Sequence, residues 1–481
     1  MEPRCPPGPR GRFLLGNLPE FARDVLGFLT SCAREYGDVT RLRLGKYDAY
    51  LLNHPDLVDE VLRKQRENFV KHSFFWRHVT AIFGTGLLTS EGEFWLRQRR
   101  LSAPAFHPDR IATYGGVMVS YADRLVDEWR DGEVRDVHRD MMRVTMEIVS
   151  KTLFDADVES DVDELGRAFE LVLREVAVRF RRPFKIPDWI PTPGNLRYRR
   201  GIRRLERLIR RILAERRAAP GDRGDLLSML MSARDDDGNA MSDTQLRDEL
   251  VTLFLAGHET TAIALSWTWH LLAQHPLVKD RLVAELFGEL DRRPAKVADL
   301  PRLPFADAVV KETIRLYPPA YVLGREALAD CEIGGYTIPA GATIFMSPWV
   351  MHRDPRWFTS PEKFLPERWL DGLAARLPRF AYMPFGGGPR ICIGDRFAMM
   401  EAVLVLATIA RRFRLERTSD ADVIPFASIT LRPEGGVWMK LSRREPLPVP
   451  RPDDLVSELR ETPSSRSSET PSSGLPETPQ R

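Results

Sequence analysis

The sequence predicts a mainly α fold with small β-sheets attached. Three observations carry this. From Pro55 to about Leu316, apolar residues recur at three- and four-residue spacing, the helical period. β-patterned segments are short and confined to the flanks of that stretch. No linker interrupts Arg12 to Arg444, and an apolar content of 43% is enough to fill one large core.

Taken in order, residues 1–12 are Pro/Gly-rich and are expected to lie flat on the surface. Val39–Leu44 and Ala49–Leu52 alternate around a turn at Gly45–Asp48, which predicts a hairpin. Helices follow at Asp56–Lys64, Phe94–Ala103, Gly116–Trp129, Met141–Phe154 and Val162–Arg179. Pro183, Pro187, Pro191 and Pro193 then mark a surface loop. Arg197–Arg217 is a very basic helix with an apolar stripe at Ile202, Leu205, Leu208, Ile209, Ile212 and Leu213. Its charged face is expected to be solvated; contact with a membrane surface or an acidic partner is the sharper alternative. Ser242 and Gln245 form a capping box that opens a long helix to Gln274. Strands are expected at Glu332–Ile333, Tyr336–Ile338 and Ala342–Ser347, and a helix at Asp395–Phe413. A last hairpin would pair Ile429–Leu431 with Val437–Leu441. Beyond Glu445, Glu461-Thr-Pro-Ser-Ser465 recurs as Glu469-Thr-Pro-Ser-Ser473, and such a tail has almost nothing to bury. The expected organisation is an N-terminal segment 1–12, one catalytic domain 13–444 and a disordered tail 445–481.

A net charge of +3 does not argue for nucleic acid. The cysteines, Cys5, Cys32, Cys331 and Cys392, are scattered without a CxxC pair, so a reducing cytoplasm is expected. No leader and no run of ~20 apolar residues is present, which predicts a soluble chain without a membrane span. A monomer is expected.

The chemistry concentrates in Phe385-Gly-Gly-Gly-Pro-Arg-Ile-Cys392-Ile-Gly394. Glycines bring the backbone close to something flat, and Cys392 falls near a helix N-terminus, where unpaired N–H groups favour a thiolate. A single Cys thiolate is the haem ligand that favours O–O cleavage of dioxygen. Ala256-Gly257-His258-Glu259-Thr260-Thr261 lies mid-way along the long apolar helix. Gly257 would thin the helix there, and Glu259 with Thr260 would deliver protons, the hydroxyl donating to a bound oxygen species. Glu312 and Arg315, three apart on one helix face, with Arg368, suit a buried ionic brace rather than a catalytic group. Trp95 and Arg99, four apart, present an indole N–H and a guanidinium to one side, as a carboxylate would need. Arg325 and Arg390 are further candidates for the two propionates of a haem.

In this order the motifs resemble the cytochrome P450 family, from the Pro-rich start to about Leu441. The cysteine loop matches Phe-x-x-Gly-x-Arg-x-Cys-x-Gly at every fixed position, and Trp369 stands where phenylalanine is commoner after Pro-Glu-Arg. The resemblance implies the P450 fold around haem b, with Cys392 as the iron ligand. It implies cofactor contacts at Trp95, Arg99, Ala256, Gly257, Arg325, Phe385 and Arg390, and an acid–alcohol pair at Glu259 and Thr260. It further implies a monooxygenase that uses O2 and electrons from a separate ferredoxin or flavodoxin with its reductase. Basic Arg396 and Arg411 would suit that partner. The loops His72–Gly86, Pro183–Pro193, Ala320–Leu323 and Pro425–Ile429 would line the pocket. Their apolar residues (Phe74, Phe75, Trp76, Ile82, Phe83, Val322, Leu323, Phe426) suggest a fatty acid, terpenoid or steroid, and the texture resembles fatty-acid hydroxylases. Alternatives are a peroxide-driven or non-redox enzyme on the same fold, and a haem-binding sensor or carrier.

Overall fold

A computed structural model describes residues 5–71, 83–155, 171–172, 175, 187, 189–218, 221, 223–291 and 293–444. Most of the helix expected at Val162–Arg179, residues 183–186 and 188 of the proline loop, Phe74, Phe75, Trp76 and Ile82, and the tail lie outside the described residues. The chain divides into two units, Met1–Arg443 and Arg444–Arg481.

Seven helices build the site: α1 (Gly92–Ser102), α2 (Gly115–Asp127), α3 (Val137–Phe154), α4 (Pro193–Ala218), α5 (Asp243–Gln274), α6 (Pro304–Leu316) and α7 (Asp395–Arg412). α5 is the axis. Its 32 residues span about 48 Å. The expected capping box is formed: the Ser242 hydroxyl accepts from the Gln245 N–H, and the Gln245 side chain accepts from the Ser242 N–H. From Leu246 to Leu272 most of its residues are buried on all sides, because α3, α4, α6 and α7 pack around it. α3 crosses α5 at Gly257, where a Cβ would meet Val149 Cγ2 at 3.2 Å. The Thr145 hydroxyl donates to the His258 carbonyl at 3.0 Å at the same crossing. The small residue expected to admit a cofactor therefore also admits a neighbouring helix.

The first hairpin is as expected: β1 (Val39–Leu44) pairs with β2 (Tyr47–Leu52). Together with β3 (Phe69–Val70), β5 (Leu323–Ala327) and β8 (Thr343–Met346) it makes a five-stranded sheet of order β1-β2-β8-β5-β3. β6 (Cys331–Ile333) and β7 (Tyr336–Ile338) form a separate ribbon.

The expected last hairpin is not formed. β11 (Leu431–Pro433) pairs instead with β10 (Pro425–Ala427). β12 (Trp438–Arg443) joins β4 (Val134–Asp136) and β9 (Phe413–Arg417). Asp136 redirects the chain: its carboxylate accepts from the Val437 N–H at 2.9 Å, and it packs so close to Gly436 that a Cβ there would overlap it. A contact 301 residues away in sequence thus overrides a local turn signal.

Candidate active site

The cysteine loop is closed by its own backbone. The Cys392 N–H donates to the Phe385 carbonyl at 2.9 Å, and Arg99 Nη1 donates to the Ile391 carbonyl at 3.0 Å. Gly386 and Gly388 have φ of 72° and 66°, a region that strains other residues. A Cβ on Gly388 would overlap the Leu62 carbonyl, and one on Gly387 the Phe380 ring. Two of the glycines therefore answer to protein neighbours, not only to a cofactor. Cys392 opens onto a cavity of about 360 Å³, also lined by Phe385, Gly386 and Gly387.

Burial raises the Cys392 thiol above its ordinary value; the Gly394 N–H, Arg99 and Lys71 lower it only in part. The Gly394 N–H, near the helix N-terminus, acts in the expected direction, and burial outweighs it. A cation bound to the sulfur would supply the missing stabilisation.

Trp95, Arg99, Arg325 and Arg390 all line this cavity, and the structure adds Lys71. Arg390 lies 4.2 Å from the centre of the Trp95 ring and pairs with Glu91. Burial and mutual repulsion lower the pKa of Lys71 and Arg325, the latter to about 10. The Glu91 carboxylate opposes this on Lys71 and Arg325 and acts on Arg390 as well. Among the described residues Arg390 Nη1 is buried without a hydrogen-bond partner. Two propionates would add negative charge beside Arg325 and Arg390. Among the described residues no group of three or more His, Cys, Asp or Glu could hold a metal ion. One sulfur beside a carboxylate-seeking cluster fits iron carried in a porphyrin. Lys71 was missed in the sequence because a lone lysine in a strand-to-loop segment carries no spacing signal.

On the opposite wall, Ala256, Gly257, Thr260 and Thr261 line the cavity. The Thr260 hydroxyl donates to the Ala256 carbonyl at 2.7 Å rather than into the cavity, so its lone pairs are what it can present there. Glu259 is buried and is not part of the cavity wall. It accepts from the Thr430 hydroxyl at 2.6 Å and from Arg432 Nε at 2.8 Å. Burial pushes its carboxyl up, but Arg432 and Thr430 outweigh this and hold it below its ordinary value. The neighbours in sequence are therefore divided, Thr260 to the cavity and Glu259 to β11. Arg432 was not legible as a partner, since only the chain reversal at β10–β11 brings it there.

Of the apolar loop residues expected to line the pocket, Val322 and Leu323 do so, with Ala320 and Ile429. Phe83 packs into the core beside α4, and Phe426 sits in β10; neither lines the cavity.

The ionic brace forms as predicted. Glu312 receives Arg315 at 2.9 Å and Arg368 at 3.0 Å. The Trp369 indole N–H donates to the same carboxylate at 2.9 Å. The tryptophan that departs from the commoner phenylalanine is thus a fourth member of the cluster.

Glu249 of α5 holds the cavity wall from behind. It accepts from the N–H of Leu87, a lining residue, at 2.9 Å. Its Oε1 has no partner among the described residues. Burial pushes its pKa from 4.5 up to about 7, against the pull of the Leu87 N–H. A raised carboxyl pKa means the folded state binds the proton more tightly. Stability is therefore lost as pH rises from 4.5 to about 7, and the loss is complete above that. Glu249→Gln keeps an acceptor for Leu87 and removes the charge. It is expected to equal the parent at pH 4 and exceed it at pH 8 by on the order of 2–3 kcal/mol at most. Denaturant titrations at the two pH values check this; a variant less stable at both would count against it.

Fold and site together suit a haem–thiolate oxidoreductase: a cavity lies between the long central helix and the glycine-rich cysteine loop. The chain matches the family model Cytochrome P450 over residues 6–439. It is 38% identical over 404 residues to cyclooctat-9-en-7-ol 5-monooxygenase of Streptomyces melanosporofaciens, covering 84% of this chain and 87% of that protein. It is 38% identical over 426 residues to cyclooctatin synthase of the same organism (88% and 92%). It is 34% identical over 434 residues to pentalenene oxygenase of Streptomyces avermitilis (90% and 96%). The chain belongs to the cytochrome P450 family. As a P450 monooxygenase it takes a haem–thiolate cofactor, O2, a hydrophobic substrate and electrons from a redox partner. No helix among the described residues is long and apolar enough to cross a membrane.

Proposed function

We propose that this enzyme hydroxylates a neutral, polycyclic terpenoid, with haem b bound to Cys392 and electrons from a ferredoxin or flavodoxin. The observation that carries the substrate class is the division of charge in the cavity. Lys71, Arg325 and Arg390 lie close enough to repel one another, and Arg99 holds the cysteine loop; these would take the propionates. The remaining wall is mostly apolar, with Leu87, Leu88, Leu253, Ala264, Ile314 and Ile429, and carries hydroxyls on Tyr114, Thr152, Thr252, Thr260 and Thr261. Among the described residues this wall has no charged group, so nothing there would hold the carboxylate of a fatty acid. The relatives named for cyclooctatin and pentalenene oxidation support the same class.

When bound, the haem supplies reductive activation of O2 at its iron. The protein's part is to orient, exclude water and move protons. Trp95, Arg99, Arg325, Arg390 and Lys71 would hold the propionates, and Phe385 packs on the cysteine loop. Thr260 accepts a hydrogen bond through its free lone pairs and passes a proton by rotation of its hydroxyl away from Ala256. Glu259 is the proton reservoir behind it, and must loosen from Arg432 to serve. On the outer side of the cysteine loop, exposed Arg396 suits an acidic electron donor. Arg411, also expected there, lies near the far end of α7 and is committed to the Arg293 carbonyl.

Turnover of neutral terpene alcohols and of fatty acids with surrogate ferredoxin, reductase and NAD(P)H tests the substrate class. Preference for the fatty acid would sink it, and peroxide-supported turnover above the reductase-supported rate would favour the peroxide-driven alternative. In Thr260→Ala, product formed per NAD(P)H consumed is expected to fall by about tenfold or more while H2O2 release rises. Unchanged coupling would remove Thr260 from the proton path.

A further inference from the structure

We propose that the outer face of α4 is a docking surface for an anionic lipid bilayer. At 100° per residue, Leu196, Arg200, Arg203, Arg204, Arg207, Arg210 and Arg211 fall within one sector of this helix, and all are exposed. From Arg200 to Arg211 the stripe runs about 16 Å. The acidic residues of α4 sit at its margins. Glu206 is turned toward Arg247 of α5, and Glu215 lies beside Arg211. The opposite face, with Leu205, Leu208, Ile209 and Leu213, is buried in the apolar cluster that includes Val149, Leu153 and Leu253. Those three also line the cavity. α4 therefore lies one layer outside the binding site, cationic to solvent and apolar within.

Two features select a bilayer over an acidic protein or a nucleic acid. Leu196, at the head of the arginine stripe, is 43% exposed, and Trp189, in the turn just before α4, is 76% exposed. That turn is a fixed mount, because Asn195 Nδ2 donates to the Pro187 carbonyl at 3.0 Å and the Ile190 carbonyl at 2.9 Å. An aliphatic side chain heading a row of guanidiniums, with an exposed indole in the turn before it, matches the headgroup layer, which accepts both. A polyanion in water offers the apolar pair nothing. The apolar cavity behind α4 also takes ligands that partition into lipid.

The test uses the haem-loaded full chain and vesicles of phosphatidylcholine, alone or with an equal share of phosphatidylglycerol. Sedimentation with the anionic vesicles is expected, decreasing with salt, and little with the neutral ones. Replacing Arg200, Arg203, Arg207 and Arg210 together by Gln is expected to lower vesicle partitioning by about tenfold or more, with the absorption spectrum unchanged. Replacing the same four by Lys should retain binding, which separates lost charge from a damaged fold. Trp189→Ala should weaken what binding survives at high salt. The proposal fails if the parent does not sediment with anionic vesicles at low salt, or if the Gln variant sediments equally. It also fails if polyglutamate or duplex DNA captures the protein in preference to the vesicles.

Discussion

In Cys392→Ser, turnover is expected to fall to the background rate, and the reduced carbon monoxide complex to lose the red-shifted Soret band of thiolate ligation. A serine hydroxyl stays protonated at neutral pH and donates little charge to iron. The fold should survive the change. What closes the loop is the Cys392 backbone N–H on Phe385 and the hold of Arg99 on the Ile391 carbonyl, and neither uses the sulfur. Circular dichroism and thermal unfolding close to those of the parent would show this. A red-shifted band persisting in the variant would place the iron ligand elsewhere.

Glu312→Gln is expected to be the most damaging single change to stability away from the cavity. Glu312 and Arg315 are both fully buried, with side-chain exposure of 0% each. Arg315 also donates to the carbonyls of His352, Pro361 and Lys363. The Leu365 N–H and the Trp369 indole N–H both end on the Glu312 carboxylate. Removing its charge strands a buried guanidinium, a loss of about 3–5 kcal/mol. Arg368→Ala should cost less, because Arg368 is 10% exposed and Glu312 keeps its other partners. Denaturant unfolding of the two variants, with haem retention as a second reading, checks the order. Equal losses would mean that Glu312 is not the centre of the cluster.

Much of the helical frame was legible because helical burial leaves a local trace. α5 shows this best: its capping box, its length and its apolar middle all lie within 33 consecutive residues, Ser242 to Gln274. β1 and β2 were legible for the same reason, with strand, turn and strand adjacent in sequence. The last hairpin failed because Asp136 decides it from outside the local window. In the site, Trp95 and Arg99 were readable from their i, i+4 spacing on α1. Lys71 and Arg432 were not, since each is a single cation whose partners come from other elements.

The sequence by itself determined the cysteine loop, the central helix, the Glu312–Arg315 pair of the ionic brace and hence the family, because each is a spacing of residue types along one element. Only the tertiary structure decided how the charges are used. It gathered Lys71 with Arg325 and Arg390 beside the cavity, and turned Glu259 to Arg432 while leaving Thr260 on the cavity wall. It also kept the opposite wall free of charge among the described residues. Electrostatic energy depends on distance and burial in space, and neither is a function of separation along the chain.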